Sequence, residues 1–306
     1  MMAKTIALVT NMAGPPSDFG RGPLESAIDA GVYDACRQRG LHLLNLNVPV
    51  EGISDDEVSM ILHNPPRGLV ITHPELAGSS IVDRMRRVKN AGVALVVHGN
   101  SDDFSPFDRV VSDHAHGSAQ LTRCLLEQGC RRILRVWGIE SPRYWLSMRD
   151  EGYERAMREA GLEPLPALVV RGAVVCTDDP VTFQTRVRQF AGFLIEHLRG
   201  PTPIDAIIAT NDPDAIITAA ACKLLGIDPV RDIRIVGYDS NFAVTKEYRS
   251  EPFTPAATIN KVNENTGQLL VQTLMARLAG ELPPDPVRAM TIPTLVVNVP
   301  GQLMSS

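Results

Sequence analysis

Positive charge is in short supply in this 306-residue sequence: 30 Lys and Arg stand against 35 Asp and Glu, a formal net charge of −5. Binding to nucleic acid normally needs a basic face that replaces phosphate counterions, so this chain by itself is not expected to hold DNA. Long apolar runs are missing too, which excludes a membrane-spanning helix. The N-terminal apolar run, Thr5 to Val9, is too short for the core of a signal peptide and has no small-residue cleavage site after it. Paired CxxC cysteines are absent. The five cysteines (Cys36, Cys124, Cys130, Cys176, Cys222) are odd in number and scattered. That is the pattern of reduced thiols, and the expected location is the cytoplasm. A mature periplasmic protein stripped of its leader would read the same way.

Catalytic signatures are lacking as well. Gly20 and Gly22 begin a GxGxxG spacing, but Glu25 occupies the third glycine's place. GxxxxGK[ST], HExxH and GxSxG do not occur. Asp113, His114 and His116 could ligate a metal, yet they open a helix, where Asp satisfies free N–H groups. Capping is the expected role. Neither an enzyme nor a cofactor nor a metal is indicated.

What the sequence does contain is alternation. Apolar runs at Thr5–Val9, Leu41–Leu46, Gly68–Ile71, Val93–Val97, Arg132–Val136, Asp205–Ala209 and Arg234–Gly237 lack polar interruption, as in strands covered on both faces. Helix-period segments lie between them. Ile81, Met85 and Val88 form one stripe, Tyr153, Ala156, Met157 and Ala160 a second. Phe183, Val187, Phe190, Leu194 and Leu198 form the longest, closed by Gly200. Ser54-x-x-Glu57 is a capping box ahead of Val58, Ile61 and Leu62, and Pro65-Pro66 ends that helix. Asp212-Pro213 reads as N-cap and first helical residue.

Such alternation means βαβ units and parallel sheets with right-handed crossovers. One sheet would need too many strands, so two doubly wound sheets are the economical solution, an α/β fold without a flexible tether. Ligands in such folds bind outside the carboxyl ends of the strands. Those ends carry Asn11, Thr72-His73, Gly99-Asn100, Asn211-Asp212 and Asp239. Loop Asn and Asp are ordinarily turn or cap residues, and Asp212 reads as a cap. Their common placement nevertheless suits a polyhydroxylated ligand, because amides and carboxylates pair with hydroxyls.

Several segments resemble one family. AIIATNDPDAIITAAA (206–221) resembles the strand-Asn-Asp-helix element of the lac-repressor (LacI/GalR) family and the related ribose-type binding proteins. DIRIVGYD (232–239) is similar to its strand leading into Gly-Tyr/Phe-Asp, and PAATINKVNENTG (255–267) to its Pro-x-x-Thr-Ile segment. Arg149-x-x-Gly152-Tyr153, the element from Val111 to Gly117, and the closing strand Ile292–Val297 also match.

The resemblance implies a periplasmic-binding-protein-like type I fold, two lobes joined by three crossovers with an effector in the cleft. The lobes are expected at 1–111 plus 262–290 and at 112–261 plus 291–306. By position Arg149, Asn211 and Asp239 would contact the ligand, with Asn11 and Phe19 from the first lobe. Two departures stand out. Gly99-Asn100 follows a strand whose end in relatives often carries a sugar-holding Asp-Arg pair, and Lys261 replaces a common Gln. A second cation beside Arg149 needs a counter-charge, from an acidic ligand such as a sugar acid or sugar phosphate, or from Asp239. Family regulators carry a helix-turn-helix headpiece before the first strand, for which Thr5 leaves no room; a truncated regulator is the expectation, reaching operator DNA only through that headpiece. A cytoplasmic homodimer that senses a sugar-like effector is therefore expected. The alternatives are a solute-binding protein of a sugar transporter and, from another class, a cleft enzyme.

Overall fold

The computed structural model describes residues 4–11, 23–48, 52–72, 79–139 and 143–298. The chain divides into two compact units, Met1–Ser112 with Val262–Thr291, and Asp113–Lys261 with Ile292–Ser306, so it passes from one to the other three times.

The first unit holds a six-stranded sheet: β1 (Thr5–Asn11), β2 (His42–Val48), β3 (Gly68–Ile71), β4 (Ala94–His98), β5 (Asp108–Ser112) and β11 (Arg288–Thr291), in the order β11-β5-β4-β3-β1-β2. Every pairing is parallel. Alternation along β1 explains the double winding. Ala7 and Val9 enter a core with Val58 of α2 (Asp55–His63) and Met85 of α3 (Ser79–Asn90). Ile6 and Leu8 enter another with Val32 of α1 (Pro23–Gln38) and Leu270 of α9 (Asn263–Ala279). A strand flanked by both cores has no polar face to show, hence its continuous apolar run. The Leu41–Leu46 run behaves differently. It forms the edge strand β2, whose residues are mostly exposed and whose Leu44 keeps 47% of its surface. Apolar content alone does not distinguish an edge from a centre. The capping box forms as its residues suggest: Glu57 N donates to Ser54 Oγ (3.3 Å) and Ser54 N to Glu57 Oε2 (2.6 Å).

The second unit holds the parallel sheet β7 (Leu168–Val169), β6 (Ile133–Trp137), β8 (Ala206–Ala209) and β9 (Arg234–Val236), in that order. Beyond β9 the short helix α8 (Lys246–Ser250) precedes an antiparallel pair, β10 (Ala257–Asn260) with β12 (Thr294–Val297). Backbone bonds from Ala256 to Ile235, Gly237 to Ala257 and Asp239 to Ile259 attach β10 to the β9 side. Alternate residues of β8 again feed two cores. Ile207 and Ala209 pack with the Phe183–Leu198 stripe of α6 (Pro180–Arg199). Ala206 and Ile208 pack with Leu121 of α4 (His114–Glu127) and Tyr153 of α5 (Tyr144–Glu159). Among the described residues, no helix is long and apolar enough to cross a membrane. All five cysteines are free and buried, and burial pushes the thiols of Cys176 and Cys222 up to about 11 and about 12.

Candidate functional site

Four of the expected contacts collect at the carboxyl ends of the second unit's strands. Arg149 stands on α5, and the motif around it has a packing reason. A Cβ on Gly152 would lie 2.0 Å from the Ala115 carbonyl oxygen, so only glycine lets α5 approach α4 this closely. Tyr153 then anchors the helix, its hydroxyl donating to the Ile133 carbonyl (2.7 Å) and accepting from Leu165 N (3.1 Å). With the helix fixed, Arg149 is 3% exposed and donates to the Thr210 carbonyl. Its guanidinium lies 3.4 Å from the ring centroid of Tyr238 and 4.3 Å from that of Trp145, contacts that stabilise a desolvated cation. Burial pushes its pKa down, opposed by Tyr238 and Asp239. Its buried Nε has no hydrogen-bond partner among the described residues.

Asp239 and Lys261 sit side by side, Nζ to Oδ1 at 3.0 Å, with the two side chains 9% and 18% exposed. The ammonium is near enough for an ion pair but is not aligned for a hydrogen bond, since Asp239 Oδ1 has no hydrogen-bonding partner among the described residues. Asp239 thus supplies the counter-charge that Lys261 requires. Asp239 and Ser240 both lie in the left-handed region, at φ 96° and 55°. For non-glycine residues such backbone costs about 1–3 kcal/mol each and persists only where its surroundings enforce it.

Asp212 is the enforcing residue. It is not the cap of α7 (Asp212–Leu224); Asn211 is, its side chain accepting from Asp214 N at 2.9 Å. Asp212 is instead the first helical residue, which points its carboxylate at the next loop. Oδ2 accepts from Asn241 N (2.7 Å) and Phe242 N (3.1 Å), and Oδ1 from Thr258 Oγ1 (2.7 Å). The same threonine oxygen accepts from Ser240 N at 3.1 Å. Gly237 clears the way, because a Cβ there would meet Asp212 Oδ1 at 2.1 Å. Burial raises the Asp212 carboxyl to about 7, against the lowering effect of its hydrogen bonds.

Behind this cluster Arg186 of α6 pairs with Asp214 (2.7 Å) and donates to the Val174 carbonyl (2.7 Å). Burial alone would lower the Arg186 pKa; Asp214 outweighs it and the net shift is upward. Tyr238, Trp145, Thr258 and Arg186 were not singled out from sequence. For Trp145 a signal existed: it lies one helical turn before Arg149, hence on the same face.

In the first unit, Thr72 is fully buried, its hydroxyl 3.2 Å from Asp29 Oδ1, and Asn100 donates to the Ser112 carbonyl (3.0 Å). Asn11 ends β1. The Asn11 side chain, Phe19 and His73 lie outside the described residues. Asp113 caps α4, accepting from His116 N at 2.9 Å, and no group of three or more His, Cys, Asp or Glu that could hold a metal is found among the described residues.

A polar cluster at the carboxyl ends of a doubly wound parallel sheet, rich in fixed donors and acceptors, defines a small-molecule-binding protein. Residues 122–298 match the periplasmic binding protein-like domain family. With more than half of its length matched, the chain belongs to this family. It is 24% identical over 198 residues to the HTH-type transcriptional regulator GntR of Escherichia coli K12, a match covering 64% of this chain and 54% of GntR. The chain thus spans about half the length of that relative. It is 26% identical over 259 residues to the HTH-type transcriptional repressor PurR of Pasteurella multocida, covering 84% and 71%. Its fold matches that of the transcriptional regulator CelR in a cellobiose complex, with TM-score 0.70, 21% identity, and 96% of this chain and 84% of that one covered. These relatives are transcriptional regulators.

Proposed function

We propose that the chain is the effector-binding and dimerising core of a LacI-family transcription regulator, and that a sugar-like polyhydroxylated molecule is its effector. The observation that carries this is Arg149, set over the Tyr238 ring and beside Trp145 with its Nε unbonded among the described residues, next to Asn211 and the Asp239–Lys261 pair. Rings and fixed donors of this kind suit the apolar faces and hydroxyls of a sugar. The cellobiose bound by CelR, a protein of the same fold, supports the same class of ligand. Because Lys261 already faces Asp239, the pair is neutral and a neutral sugar is favoured over a sugar acid. Operator DNA would be bound through a helix-turn-helix headpiece of the family type.

Thermal-shift screening of matched neutral and acidic sugars tests the reading. A ligand at about 100 times Kd stabilises by roughly 2.7 kcal/mol, enough to detect. Neutral sugars are expected to give the larger shifts, and Asp239→Asn to abolish them. If acids win, Lys261 is serving the ligand; if no sugar of either kind binds, the effector class is wrong.

A further inference from the structure

A cavity lies in the second unit, at the other end of its sheet from the Asp239 cluster. Arg234 opens β9, Ala256 precedes β10 and Asn298 follows the antiparallel β12, so the cavity they line faces the amino ends of β9 and β10, opposite to Asp239. Its volume is about 890 Å³, within the range of roughly 300–1,000 Å³ seen for ligand sites. The walls are largely apolar: Ile227, Pro252, Phe253, Val230 and Val297, the last two 51% and 53% exposed. Two cations line it, and they differ. Lys223 is neutralised by Glu251 at 2.6 Å. Arg234 donates to the Val230 carbonyl and is in no ion pair among the described residues. Asp228, the acidic residue of the lining, is occupied by the backbone N–H groups of Val230 and Arg231 at 2.9 and 3.1 Å.

We propose that this cavity binds a small amphipathic carboxylate, with its apolar chain along Phe253, Ile227 and the two exposed valines and its carboxylate on Arg234. An uncompensated guanidinium beside exposed apolar surface selects for both halves of such a molecule. Arginine's planar fork matches a carboxylate, and the apolar walls gain by leaving water. Neither half alone satisfies the site. The cavity shares no side chain with the cluster around Asp239, so this ligand would be a second one, bound independently of the effector.

Octanoate titrated calorimetrically into the whole chain is the direct test, with acetate and 1-octanol as matched probes. Saturable one-to-one binding of octanoate is expected, with each control at least tenfold weaker. Arg234→Gln should weaken octanoate at least tenfold and leave the alcohol unchanged. Val230→Asp, at an exposed rim position, should weaken octanoate to a similar extent and decides the matter if Arg234→Gln does not fold. Absence of saturable binding, equal binding of octanol, or full octanoate binding by a folded Arg234→Gln or Val230→Asp chain overturns the proposal.

Discussion

At the residue scale, the site is governed by two carboxylates that burial treats differently. Asp239 is matched by Lys261. Replacing Lys261 with Gln strands a largely buried carboxylate, and a loss of about 1–3 kcal/mol in urea unfolding is expected. The double variant Asp239→Asn/Lys261→Gln should recover part of that loss, because it removes the stranded charge as well as the pair. Equal stability of the single variant and the parent would mean that the two side chains do not interact. Among the described residues Asp212 has no cation at hydrogen-bonding distance and is held by a hydroxyl and two amides. Its folded carboxyl titrates near 7, above the usual unfolded value near 3.9, so the folded state holds this proton more tightly. The stabilisation is present in full below about pH 4 and is lost as pH rises toward 7, by at most ~1.4 kcal/mol per pH unit. Relative to Asp212→Asn, the parent should therefore lose stability between pH 5 and pH 8. A difference between the two that stays constant over that range would show that the carboxylate keeps an ordinary pKa in the fold.

At the element scale, α5 converts a short motif into a positioned arginine. Gly152 sets the approach to α4, Tyr153 ties the helix to β6 and to Leu165, and Arg149 follows from both. Gly152→Ala should cost about 1–3 kcal/mol or more, since the collision is with backbone that must shift as a unit. The same variant should also weaken effector binding, because Arg149 rides on the displaced helix; calorimetry and unfolding measured together would separate the two losses. By contrast, Ser54→Ala removes one cap of α2, and about 1 kcal/mol of stability with ligand binding intact is the expectation. Helices of this chain were legible where cap and stripe coincide, as in α2 and α6. Five strands do not appear among the apolar runs: β5, β7, β10, β11 and β12. β7 has two residues, and β5 and β11 place charged Asp108, Arg109 and Arg288 in the sheet. Asp108 is paid for by Arg277 of α9, at 2.6 and 2.7 Å, a partner far along the chain that no local pattern announces.

At the scale of the whole molecule, the proposed regulator must pair. Symmetric operators call for two headpieces, and the core is the part that brings them together. Light scattering at micromolar concentration should give twice the mass of one chain. A species of one chain's mass alone would favour the solute-binding alternative.

The sequence by itself determined the class of fold: uninterrupted apolar runs alternating with helical stripes leave few solutions besides doubly wound parallel sheets, and the runs of β1, β3, β4, β6, β8 and β9 sit where those patterns put them. It also identified strand ends as the place for polar contacts, because that follows from chain direction. Tertiary structure alone decided what each polar residue does there. Asn211 and Asp212 are adjacent and chemically alike, yet one caps α7 and the other holds the loop of Asp239, a division set by which side chain points along the helix and which across it. Lys261 and Asp239 are separated by 21 intervening residues, and whether they meet depends on β10 lying beside β9, a pairing decided across the sheet. Local preference acts over a few residues, whereas partners for buried charge are found wherever the fold brings them together.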